Sequence, residues 1–356
     1  MIRYAIIFVL ALTTLSAAPK KPVYQVISSH PHDVQAFSPF IETIKKDGRV
    51  WLVHVKPGIP YHLMENFSSV EGRKVQTYFP DVRLAKLKMA SPAILASMSR
   101  LSVAQIKSDV EHLASYRTRA AGTEDNQKTT NWIADEFTSL GYTVTRQCYR
   151  TTACSIIADK GGETASEDVI LIMAHFDSVG KSFAGADDNA SGTAVLMEIA
   201  RALKGHRSNK TIRFFATNGE ELGLLGAEHY ARVLRESGSI KNVKFAINMD
   251  MVGYNSNGVV ELETDGKFET LANWYASLVR QYTSLTPKIT LGAWGSDHVP
   301  FLKSGVPTML TIEDWSTKTP CYHMECDKPD TLNYEYAGEI AKLNLAAILT
   351  KDKELP

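Results

Sequence analysis

VILIMA-HFD, residues Val169 to Asp177, decides the fold. Six apolar residues in a row, without polar alternation, suit a strand buried on both faces. The run then stops at a histidine and an aspartate. Working outward, the same order recurs. TIRFFA (Thr211–Ala216) leads to Glu220 and Glu221, and KFAINM (Lys244–Met249) leads to Asp250. Apolar residues at helical spacing predict helices over Gly192–Leu203, Leu222–Arg235, Phe268–Tyr282 and Tyr336–Leu349, with a further strand over Val306–Ile312. Upstream, Ser102 is a good helix N-cap, and Ile106, Val110 and Leu113 follow on one face. Trp132, Ile133, Phe137 and Leu140 share another helical face that stops at Gly141, and Tyr142–Arg146 reads as a strand. Such alternation predicts an α/β fold: a mostly parallel, mixed central sheet with helices on both faces.

In open α/β sheets, ligands bind beyond the carboxyl ends of the strands. Three successive strands place His175, Glu220 with Glu221, and Asp250 at that edge. GADDNASG (Gly185–Gly192) lies between the first strand and its helix. Read alone, it is a capping turn, since Asp, Asn and Ser favour helix starts. Here one aspartate can bind metal while its neighbours cap. Imidazoles and carboxylates crowded together repel or lose solvation unless a cation joins them, and this donor set suits zinc. Two zinc ions about 3.5–4 Å apart can share a bridging carboxylate. The candidates are His175, Asp187, Glu221, Asp250 and a second histidine. Asp177 is placed to orient the His175 ring through its other nitrogen. Adjacent Glu220 and Glu221 point different ways, so one can ligate while the other acts as a base.

The chain has 356 residues, 44% of them hydrophobic and 22% charged, which is ordinary for a globular protein. Thirty-nine basic residues balance 39 acidic ones, giving no electrostatic case for nucleic acid or an anionic membrane as partner. One arginine, the apolar run Tyr4–Leu15 and the small residues Ser16–Ala18 match a secretory signal, residues 1–18. This predicts a secreted or periplasmic protein, free of the membrane once the signal is removed. Cys148, Cys154, Cys321 and Cys326 permit three pairings. The two local pairings close short loops and suit an oxidising compartment, and Cys321–Cys326 is the bridge expected first. Residues 19–98 hold basic clusters and β-like runs such as Val50–Val55. They predict a small β-rich N-terminal region, either a removable propeptide or an accessory domain, ahead of a catalytic domain over 99–356.

Six segments then line up in order. AHFDSV (Ala174–Val179), GADDNASG, NGEELGLLGAEHYA (Asn218–Ala231), NMDMVG (Asn248–Gly253), SDHVPF (Ser296–Phe301) and YHMECDKPDTL (Tyr322–Leu332) together resemble the zinc-dependent bacterial leucyl aminopeptidase family of co-catalytic metallopeptidases. Each piece alone is weak; six in order across about 150 residues are specific. The resemblance implies two zinc ions held by His175, Asp187, Glu221, Asp250 and His323. Asp187 would bridge, and Glu220 would be the general base. His323 enters by resemblance, ahead of the competing His298 and His229. It also implies an exported aminopeptidase that cleaves N-terminal residues from a peptide substrate. Alternatives within the fold are dipeptidase, carboxypeptidase and glutaminyl cyclase; outside catalysis, a metal-binding ectodomain. Some members carry an oxyanion-stabilising tyrosine shortly before the SDH segment, where this chain has Ala293-Trp294-Gly295. That role is left open between a zinc, Tyr322 and another group.

Overall fold

The computed structural model describes residues 8–10, 23–27, 41–47, 50–55, 68–70, 76–80, 90–164, 166–180, 182–292 and 295–354. The expected signal segment, 1–18, lies outside these apart from β1 (Phe8–Leu10). β2 (Val23–Ile27), β3 (Ile41–Asp47) and β4 (Val50–Val55) form an antiparallel sheet with β4 central, and β5 (Ser68–Val70) runs parallel to β1. β6 (Gln76–Tyr78) belongs to a larger sheet.

The chain continues through α1 (Pro92–Met98), α2 (Val103–Ala114), α3 (Glu124–Ser139), β7 (Thr143–Arg150), β8 (Ala153–Lys160) and β9 (Val169–His175). Then come α4 (Gly192–Leu203), β10 (Thr211–Thr217), α5 (Leu225–Glu236), β11 (Val243–Met249) and β12 (Val259–Thr264). α6 (Glu269–Tyr282), β13 (Thr286–Leu291), α7 (Val299–Lys303), β14 (Thr308–Glu313) and α8 (Tyr334–Glu354) complete it. Ser102 caps α2 by accepting from the Gln105 amide at 3.2 Å. Gly141, at φ 84°, follows the end of α3 in the left-handed conformation that glycine tolerates.

Nine strands form the sheet, in the order β6-β13-β12-β14-β11-β9-β10-β8-β7. The central four, β14, β11, β9 and β10, are parallel. Antiparallel pairs flank them, β10 with β8 on one side and β14 with β12 on the other, so the sheet is mixed with a parallel heart. Along β9, Ile170, Ile172 and Ala174 enter one core; Val169, Leu171 and Met173 enter the other. The first core also takes Leu196 and Ile199 of α4 and Ile340 and Leu343 of α8, and the second takes Tyr230 and Leu234 of α5. Burying each such valine, leucine, isoleucine or methionine side chain contributes about 1.5–3 kcal/mol. That double burial is why the strand reads as an unbroken apolar run. The chain passes from β9 to β10 on one side and later to β11 on the other, which opens a crevice beyond the carboxyl end of β9.

β6 pairs with β13, and Ile94 and Met98 of α1 lie in the main core. These residues of the expected N-terminal region, 19–98, thus pack with the elements that follow it.

Candidate metal centre

Each expected ligand stands at a strand end or in a loop at this crevice. His175 closes β9, and its carbonyl accepts from Thr193 Oγ1 at 2.8 Å. Asp250 follows β11, its amide donating to the Thr311 carbonyl of β14. Glu220 and Glu221 follow β10 by way of Asn218 and Gly219. His323 sits in the loop closed by the Cys321–Cys326 disulfide, at φ 56°. A second disulfide joins Cys148 to Cys154, so both local pairings are present. The His323 ring stacks on Tyr322 with centroids 4.0 Å apart, and Trp315 meets Tyr322 edge-on.

Four of the five expected ligands come together, and the aspartate gathered with them is Asp188 rather than Asp187. Asp188 Oδ1 lies 3.2 Å from His175 Nε2, and Asp188 Oδ2 lies 2.9 Å from His323 Nε2. Asp187 turns the other way. Its Oδ1 accepts from the amides of Gly253 at 2.8 Å and Tyr254 at 3.2 Å. Asn189 joins it in fastening the turn to the segment carrying Asp250: its Oδ1 accepts from the Met251 amide and its Nδ2 donates to the Met249 carbonyl. Consecutive residues of an irregular turn face different ways, and residue type alone does not say which faces the crevice.

One ring nitrogen can donate only one proton. His175 Nε2 nevertheless has Asp188 Oδ1 and Asp250 Oδ1, each at 3.2 Å. His323 Nε2 likewise has Asp188 Oδ2 at 2.9 Å and Glu221 Oε1 at 3.2 Å. His175–Asp188–Asp250 and Asp188–Glu221–His323 are thus two adjacent clusters of metal-ligand type that share Asp188, and His175–Glu220–Glu221 is a third overlapping group. A divalent cation within each of the first two satisfies every atom, so the residues fit the metal reading. With the imidazoles facing carboxylates directly, charge is driven hard. Burial opposes ionisation of Asp188, but the bonds from His175 and His323 outweigh it and hold its carboxyl well below the usual range. Burial likewise opposes charge on His323, yet Glu221 and Asp188 push it up to about 9.

Asp177 differs from expectation in detail. The His175 Nδ1–H donates to the Asp177 carbonyl oxygen at 3.1 Å. The carboxylate accepts instead from the amides of Glu220 and Glu221, each at 3.2 Å. It therefore sets both glutamates. His298 and His229 join none of the clusters found among the described residues; His229 faces Arg232 on α5. The SDH segment braces strand ends: Asp297 bonds Thr217, and Ser296 accepts from Asn248 at 2.8 Å. Sequence reading named Asp187 and not Asp188, the aspartate common to the two clusters, although they stand side by side in GADDNASG. It also missed fully buried Arg119, whose guanidinium donates to the carbonyls of Leu113, Phe176, Ala184 and Gly185. No spacing signal marks that arginine.

The sequence profile of peptidase family M28 matches residues 155–348, more than half of the chain. The chain belongs to peptidase family M28. It is 30% identical over 283 residues to leupeptin-inactivating enzyme 1 of Streptomyces exfoliatus, across 68% of this chain and 63% of that protein. It is 36% identical over 188 residues to aminopeptidase YwaD of Bacillus subtilis (strain 168), across 51% of this chain and 40% of that protein. The matches thus span less than two thirds of either relative. Among solved structures, the LapA aminopeptidase of Legionella pneumophila shares the fold at a TM-score of 0.71 and 20% identity, covering 89% of this chain and 95% of that one. BSAP, a zinc aminopeptidase from Bacillus subtilis, does so at 0.63 and 20% identity, covering 70% and 95%.

Proposed function

We propose that this M28 protein is an exported di-zinc aminopeptidase. The observation that carries the reading is Asp188, whose two oxygens face two histidines that each also face a second carboxylate. His175, Asp188 and Asp250 would hold one zinc; Asp188, Glu221 and His323 would hold the other. When bound, zinc supplies Lewis acidity to the scissile carbonyl and to the attacking water. Glu220, set by Asp177 beside Glu221 and His175, takes the proton from that water and returns it to the leaving amine.

Two zinc ions would balance the charge of Asp188, Glu220, Glu221 and Asp250, so the ligand set by itself does not select a free α-ammonium group; the similarity to aminopeptidase YwaD supports that choice. Arg119, the nearby cation, is turned onto backbone carbonyls and does not offer itself to a substrate carboxylate. Export rests on the residue 1–18 pattern and on the two disulfides, which persist in oxidising compartments. Among the described residues no helix is long and apolar enough to cross a membrane.

The deciding experiment compares aminoacyl amides with their N-acetylated forms and with N-blocked peptides bearing a free carboxylate. Only free-amine substrates should be cleaved, with loss of activity on chelation and recovery with zinc. Turnover of the N-blocked peptides would overturn the aminopeptidase reading; full activity after complete zinc removal would overturn the metal reading.

A further inference from the structure

Five residues lead from the β9 side of the crevice to the shared ligand, Ala184 to Asp188. Their carbonyls and amides part in two directions. The carbonyls of Ala184 and Gly185 accept from the Arg119 guanidinium. The amides of Asp187 and Asp188 donate to the two oxygens of one carboxylate, Asp327, at 2.7 and 3.1 Å. The Ala186 amide points to the main-chain oxygen of the same residue at 3.4 Å. Asp327 is 2% exposed and follows Cys326 directly. Its own amide donates to the Met324 carbonyl, and the Met324 amide donates to that of Cys321. The loop carrying His323 is thus closed by a disulfide and then strapped, through Asp327, to the turn carrying Asp188.

We propose that Asp327 is a positioning residue that assembles the second metal position by fixing the His323 loop and the Asp188 turn to each other. The inference rests on the di-zinc reading. The two positions differ in how their ligands are held. His175 and Asp250 stand at the ends of adjacent central strands. Of Asp188, Glu221 and His323, two depend on the Asp327 strap. A carboxylate is needed because two amide donors require two acceptor oxygens; an asparagine turns an NH2 group toward one of them.

The test is a zinc titration of chelator-treated full-length protein, with bound metal counted by mass spectrometry and affinity read by chelator competition. Wild type should take up two zinc ions. Asp327→Asn should bind the second about 10- to 100-fold more weakly and the first, which depends on the strap through Asp188 alone, with a distinctly smaller loss. Its kcat should recover as zinc is raised while KM stays constant, and its circular dichroism should not change. Equal affinity at both positions, or equal loss from both, overturns the strap. Uptake of fewer than two zinc ions by wild type overturns the di-zinc reading itself. If Asp327→Asn does not fold, the Cys321→Ser/Cys326→Ser protein replaces it in the titration, because it loosens the His323 end with Asp327 intact. Selective loss of the second zinc supports the strap, and unchanged binding of both overturns it.

Discussion

Glu220 and Glu221 are covalent neighbours given different tasks by one carboxylate, since Asp177 accepts from both their amides and so fixes how each side chain leaves the backbone. Glu220→Gln removes the proposed proton acceptor and leaves the shape. It should retain zinc and lose turnover by about 10²- to 10⁴-fold, checked by pairing kinetics with metal counting. The aspartate pair offers a sharper comparison. Asp188→Asn takes charge from the carboxylate facing both histidines and should lower zinc content at both positions. Asp187→Asn keeps an oxygen that can still accept from Gly253 and Tyr254, so zinc content should stay near that of wild type. The reverse ranking would restore Asp187 as the bridge. Of the six residues proposed to act, His175, Glu220, Glu221 and Asp250 are legible because buried strands mark their own ends, and His323 enters by resemblance. The sixth, Asp188, is not legible, because the choice between adjacent aspartates lies in backbone dihedrals.

At the scale of elements, the β7–β8 hairpin holds the loop that carries Glu220, the proposed base. Asn218 donates its amide to Ser155 Oγ at 3.1 Å and its Nδ2 to the Cys154 carbonyl, and it exchanges two further bonds with Asn126 of α3. Tyr149 of β7 lies over Gly219, where φ is 82°. A Cβ there would stand 2.1 Å from the Tyr149 hydroxyl oxygen. Gly219→Ala should therefore displace Glu220 and lower kcat at least tenfold (about 1.4 kcal/mol in the barrier) with zinc content preserved. Adding Tyr149→Leu should recover part of the loss; no recovery would place the damage in the backbone alone. The hairpin also shows where sequence reading stops. Apolar runs mark β9, β10 and β11 in the sequence, whereas no such pattern marks β8, β12 or β13. β12 and β13 carry Glu261, Glu263 and Lys288 into the interior. Lys288 reaches Glu261 at 2.8 Å and Asp314 at 2.6 Å. Charged residues buried on neighbouring strands, Lys288 pairing with Glu261, interrupt the apolar pattern without exposing the strand.

Across the whole molecule, the closing helix is tied to the sheet through Asp352. Its carboxylate accepts from Ser208 Oγ and from the amides of Asn209 and Lys210, and it lies 3.3 Å from His206 Nε2. Burial works against its charge, but these bonds prevail and hold its pKa below the ordinary 3.8. A lowered folded-state pKa gives stability that is complete above the unfolded value and is lost as pH falls through the folded one. The thermal midpoint should therefore drop below about pH 4. Asp352→Asn should cost about 1.5–3 kcal/mol at pH 7 and flatten that acid slope. A slope identical to wild type would assign the acid sensitivity elsewhere. The opposite edge of the sheet has its own consequence. β6 covers the outer side of β13 with Gln76–Tyr78, and Thr77 meets Thr290 at 3.0 Å. Removing those three residues would bare a row of unpaired backbone groups, a template on which a second molecule can add. A processing protease that leaves a dispersed, working enzyme must cut on the N-terminal side of Gln76. Trimmed product that stays in solution should begin at or before that residue, whereas product beginning beyond Tyr78 should sediment as self-associated material.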